Sequence, residues 1–152
     1  MKSEVEVTER IAAAADVLYD LVSDVTRMGD WSPENVGGRW LAAATGPAVG
    51  ARFRGSNRRG VRRWSTTCMV VAADPGRRFA FEVAFAGIPV SRWSYAFAAD
   101  NGATLVTETW TDLRPGWFTV VARPFMGVSD MSVHNESNMR TTLANLHRAA
   151  TR

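Results

Sequence analysis

From Gly38 to Leu113 the chain is cut into strand-like segments with almost nothing between them: "GRWLAA", "ARFRGSN", "RRWSTTCMVVA", "RRFAFEVAF", "VSRWSYAFA" and "ATLVTETWTDL". Gly, Pro, Asn and Asp turns such as "TGPAVG", "ADPGR" and "DNGA" separate them. Parallel pairing needs a crossover of a dozen residues or more, so these short connections dictate an antiparallel meander. Ahead of them, "SEVEVTERI" puts Val5 and Val7 on one face and Glu4, Glu6 and Thr8 on the other, which predicts a further strand with one wet side.

Helices frame this run. "AAAADVLYDLVSDV" places Val17, Leu18, Leu21, Val22 and Val25 at helical spacings, with Asp16 at the positive end of the dipole, and a short second helix is expected near Asp24 to Met28. Pro33 breaks it, and Gly37 and Gly38 permit a bulge. From Ser129 to Thr151 there is no Gly or Pro, and Met131, Asn135, Asn138, Thr142 and Leu146 recur at three or four residues. That spacing predicts one long helix, with Ser129 as its N-cap.

The order is therefore one strand, two short helices, about six strands and a long helix, an α+β arrangement expected to form one domain over 1–152. A curved antiparallel sheet of about seven strands must bury its inner face, and the C-terminal helix is the long element available to cover it. Alternation assigns Trp64, Thr66, Cys68 and Val70, then Phe79, Phe81 and Val83, Trp93, Tyr95 and Phe97, and Val106, Glu108 and Trp110 to that inner face.

Charge excludes less than it suggests. The net charge is +3, but Lys2 is the only lysine, and the arginine excess accompanies many alanines, as a shared coding bias would produce. Nucleic acid is accordingly a disfavoured partner, since aromatics facing inward cannot also stack on bases outside. Cys68 stands alone, so no intrachain disulfide or cysteine-based zinc motif exists. His134 and His147 are more than three helical turns apart, too far to share a metal. No metal or cofactor is expected. No apolar leader or membrane-length run is present, and a cytoplasmic setting is the expectation.

Order and local anchors together resemble the START-like, helix-grip superfamily, which includes Bet v 1-like plant allergens, polyketide cyclase/dehydrase proteins and lipid-transfer domains. The anchors are "DWSPENVGGRW", "GARFRGSN" with Gly50, Phe53, Gly55 and Asn57, "TETW", and "HNESNMRTTLANL". The resemblance implies a cavity between the sheet and the long helix, used for apolar or amphipathic small molecules, and does not imply one chemistry.

The inward aromatics Phe53, Trp64, Phe79, Phe81, Trp93, Tyr95, Phe97 and Trp110 allow two readings, a filled core or the wall of a pocket. Asn57, Thr66 and Glu108 interrupt them with polar groups and, with the resemblance, favour the pocket. Trp31 and Trp40 are candidate cavity edges; Met131, His134, Asn135 and Asn138 would face it from the helix. Glu108, His134 and Tyr95 are the candidates for moving protons. Glu108 has two placements, inward with Arg39 or Arg92 as partner, or on the rim or outer face. Glu34, in "WSPE", reads as part of a structural turn.

Three further features complete the reading. "RPGWFTVVARPFMGVSD" is unusually apolar for a connection, and Trp117, Phe118 and Phe125 would make a flap over the cavity, a transient membrane contact, or a core-packed turn. In "FRGSNRRGVRRW" a hairpin turn at Arg58, Arg59 and Gly60 sends the arginines to solvent, where they would guide an anionic ligand. No Ser-His-Asp or Cys-His set is evident. Two functions stay open: a carrier or binder of a hydrophobic small molecule, and a cyclase or dehydratase using the same cavity. Nothing specifies an oligomeric state.

Overall fold

The computed structural model describes residues 3–118, 120 and 130–152. Seven strands form one antiparallel sheet: β1 (Glu4–Ile11), β2 (Asn35–Trp40), β3 (Arg52–Arg59), β4 (Arg62–Asp74), β5 (Arg78–Phe85), β6 (Ile88–Asp100) and β7 (Ala103–Asp112). Their spatial order is β1-β7-β6-β5-β4-β3-β2, so the meander from β2 to β7 runs without a crossover and β1 closes onto β7. Helix α1 (Ala15–Ser23) and a 3-10 helix (Val25–Asp30) separate β1 from β2, and helix α2 (Met131–Ala150) lies against the inner face.

The expected order of elements holds, with local differences. Asp130, not Ser129, caps α2: its carboxylate accepts from the backbone N–H of Ser132 at 2.9 Å and of Val133 at 3.4 Å. Strand β2 starts at Asn35, three residues before the sequence pattern, and a bulge follows between Asn35 and Gly37. Gly38 is required beside it, since a Cβ there would stand 2.6 Å from the Val25 carbonyl oxygen. The β3–β4 turn is Gly60–Val61, with Gly60 at φ +60°, so Arg59 belongs to the strand rather than to the turn.

The core gathers where α2 is apolar. Met139, Leu143 and Leu146 are buried against Ile11, Leu18, Val22, Phe79 and Val106. Tyr19 meets Phe79 and Phe97 edge-on at ring distances of 6.3 and 6.2 Å. Each such aliphatic side chain contributes roughly 1.5–3 kcal/mol. Toward its N-terminus the buried face of α2 turns polar, through Ser132 and Asn135, and there the sheet and helix stand apart.

Candidate functional site

Between that polar half of α2 and the sheet lies a cavity of about 600 Å³. Phe53 of β3, Trp64 of β4, Phe81 of β5, Trp93 and Tyr95 of β6 and Trp110 of β7 line it. Asn57, Thr66, Glu108, Met131, Asn135 and Asn138 are on the same wall. Phe79 and Phe97 are buried in the core instead. The two readings of the aromatics thus divide along the sheet, with a filled core at one end and a cavity at the other.

Glu108 sits on the inner face because β7 alternates: Thr107 and Thr109 point away, while Val106, Glu108 and Trp110 are buried. It is 1% exposed. Neither arginine considered from the sequence reaches it, because Arg39 is exposed and Arg92 pairs with Glu82 on the other face, Nε to Oε2 at 2.9 Å. Its partner is the residue opposite it on β6, Tyr95, whose hydroxyl donates to Oε1 at 3.0 Å. Oε2 is buried with no hydrogen-bond partner among the described residues. Burial pushes the carboxyl up to about 8, only partly opposed by the Tyr95 hydrogen bond. Tyr95 is itself raised, by burial and then by the neighbouring carboxylate.

A second carboxyl group, Glu34, lines the cavity just after Pro33. Arg59 donates to it twice, from Nε at 3.3 Å and from a terminal nitrogen at 3.0 Å; Asn138 Nδ2 donates at 2.8 Å, and His134 Nε2 makes a short contact with the same Oε1. Burial works to raise its pKa. The hydrogen bonds from Arg59, His134 and Asn138, with the Arg59 charge, outweigh burial and hold the carboxyl below the ordinary range.

Sequence reasoning missed Glu34 and Arg59. The signal for Arg59 was available: Phe53, Gly55, Asn57 and Arg59 share one parity, and the guanidinium turns back over the Trp64 ring at 5.3 Å. No periodicity marks Glu34, which stands in a turn. His134 is half-buried behind Glu34, in contact with the carboxylate but off the cavity wall. Its Nε2 is engaged by the Glu34 carboxylate.

Trp31 and Trp40 are also off the wall. Trp31 is buried, its carbonyl accepting from Asn145 Nδ2 at 2.9 Å, and Trp40 packs edge-on against Phe53 at 5.6 Å. In the apolar connection Phe118 lines the cavity and Trp117 is 58% exposed; Phe125 lies outside the described residues. Cys68 is on the wall, but burial pushes its thiol up to about 12, which denies it thiolate chemistry near neutrality. Among the described residues no group of three His, Cys, Asp or Glu could hold a metal ion.

A curved seven-stranded antiparallel sheet, two short helices and a long C-terminal helix beside a cavity define a helix-grip protein. The chain belongs to the polyketide cyclase / dehydrase and lipid transport family, whose model matches residues 2–151. It is 30% identical to a polyketide cyclase-like protein from Corynebacterium glutamicum, over 98% of this chain and 91% of that one, with a TM-score of 0.63. Two more distant structures share the fold. A major latex-like protein of Panax ginseng is 12% identical, covers 98% and 97% of the two chains and has a TM-score of 0.71. The di-domain ARO/CYC protein StfQ of the steffimycin biosynthetic pathway is 12% identical over 97% of this chain and 50% of its own, with a TM-score of 0.74. No curated protein matches the chain. The resemblance read from the sequence anchors is thereby confirmed at the level of family and fold.

Proposed function

We propose that the protein binds an amphipathic small molecule, lipid- or polyketide-like, with its apolar body in the cavity and a polar end at the rim. The observation that carries this reading is the cavity itself, about 600 Å³ and walled by eight aromatic rings with polar side chains set among them, as small-molecule sites usually are. Arg62 and Arg63 line its opening, and neither makes an ion pair with an acidic residue among the described residues. An anionic end is the natural match for them.

Native mass spectrometry of freshly purified protein tests the proposal, together with anilinonaphthalene sulfonate as an anionic probe. A bound organic molecule that is lost on solvent extraction, and strong probe fluorescence from the extracted protein, are expected. A bare chain that also leaves the probe dark would sink the proposal.

A second reading, a cyclase or dehydratase using the same cavity, is favoured by Glu108. A neutral carboxylic acid on an apolar wall is suited to protonate a departing hydroxyl, which leaves as water as its C–O bond breaks, and the carboxylate so formed can take the proton from the adjacent carbon as the double bond forms. Tyr95 would act through Glu108, and the cavity would hold a poly-carbonyl chain in a folded shape.

A further inference from the structure

We infer that the cavity selects, among apolar molecules, those carrying a hydrogen-bond acceptor such as a ketone oxygen at the inserted end, and that Glu108 Oε2 is the atom that receives it. The inference rests on the binding reading above and adds a specificity-determining residue and a ligand class to it.

The argument starts from satisfaction of polar groups. Buried side-chain oxygens almost always have a partner, yet Glu108 Oε2 has none among the described residues while Oε1 accepts from Tyr95. The Tyr95 hydroxyl fixes which oxygen is which. Since Oε1 is already an acceptor, the hydrogen of a neutral Glu108 belongs on Oε2, making it an O–H donor that faces no acceptor among the described residues. Glu108 is on the cavity wall, so a molecule inside can supply what the described residues do not.

The surroundings keep the group neutral. Across the sheet Glu108 faces Tyr95 on β6 and Val7 on β1. From α2 the wall carries uncharged Asn135, Met139 and Thr142, and from β4 the neutral thiol of Cys68. The charged wall residues are Glu34, Arg59, Arg62, Arg63 and Arg114, and none of them hydrogen-bonds Glu108. Burial accordingly raises the carboxyl to about 8, and the acid form prevails at neutral pH.

The test compares two probes of nearly equal shape, acetylnaphthalene and isopropenylnaphthalene, which differ by a carbonyl oxygen in place of a methylene. Calorimetric affinities at about pH 6 should favour the ketone roughly tenfold, the worth of one hydrogen bond to a buried donor. Above about pH 9.5 the carboxylate has no proton to offer, and the advantage should vanish. Glu108→Gln keeps an N–H donor at every pH, so it should keep the preference and lose its pH dependence. Glu108→Leu should bind both probes alike. Equal binding by the native protein at about pH 6, or a preference that survives Glu108→Leu, would overturn the inference. Should Glu108→Leu fail to fold, the pH series on the native protein and Glu108→Gln decides the matter. If neither probe binds at any pH, the binding reading itself fails.

Discussion

Glu34 and Glu108 share one cavity wall and one side-chain chemistry, yet they are held in opposite protonation states. Both are shielded from water: the Glu34 side chain is 19% exposed, and Glu108 is 1% exposed. What separates them is their partners. Glu34 faces a guanidinium, an amide and an imidazole; Glu108 has one hydroxyl as its hydrogen-bond partner among the described residues. Desolvation alone would push both upward, and only donors present in number reverse it. The comparison teaches that a cavity of this fold can keep an anion near its rim and an acid in its interior by choosing neighbours, not depth alone.

The largest test of that contrast is Glu108→Gln. The folded-state pKa of Glu108 lies above its unfolded value of about 4.5, so native protein binds the proton more tightly. Folding is then penalised progressively as pH rises from about 4.5 to about 8. The amide removes the penalty. Denaturant unfolding should find the variant more stable than native protein by roughly 3–5 kcal/mol near pH 9, with little difference near pH 4. An equal difference at both pH values would break the contrast.

Arg59→Ala probes the other carboxyl group. Glu34 has a lowered pKa, so its contribution is present above about 4.5 and is lost as pH falls through the folded value. Removing Arg59 should cost about 1–3 kcal/mol near neutrality, because a half-buried carboxylate loses its main donor. Under acid conditions the cost should shrink. A deficit that does not change with pH would assign Arg59 a packing role over Trp64 instead.

The smallest effect is expected at His134. With Arg59 and Asn138 still in place, His134→Gln should change stability by less than about 1 kcal/mol. Because His134 is off the wall, it should leave the affinity for anilinonaphthalene sulfonate unchanged. A large loss of probe binding would put the imidazole in the cavity after all.

The fold was legible because its signals are local. Strand alternation, Gly and Pro turns and a long breaker-free tail each read out over a few residues, and close strand spacing left one topology. The wall of the site was partly legible by the same parity, which put Phe53, Trp64, Phe81, Tyr95 and Glu108 on one face. It failed where no period applies. Glu34 follows a proline turn, and Trp31 and Trp40 flank irregular backbone, so side-chain direction there depends on contacts distant in sequence. His134 shows the limit of helical spacing, which brings a residue to one side of α2 but does not say whether a neighbour from 100 positions earlier stands in front of it.

By itself, then, the sequence determined the elements and their antiparallel order, since these follow from short-range periodicity and turn chemistry, and its anchors carried the resemblance to the family; alternation offered Glu108 the inner face without deciding it. Tertiary structure alone decided which inward aromatics fill the core and which surround a cavity, that Tyr95 partners Glu108, and that Arg59, His134 and Asn138 converge on Glu34. Those outcomes depend on how far α2 stands from each strand and on which donors meet each carboxyl group. No run of consecutive residues encodes either distance.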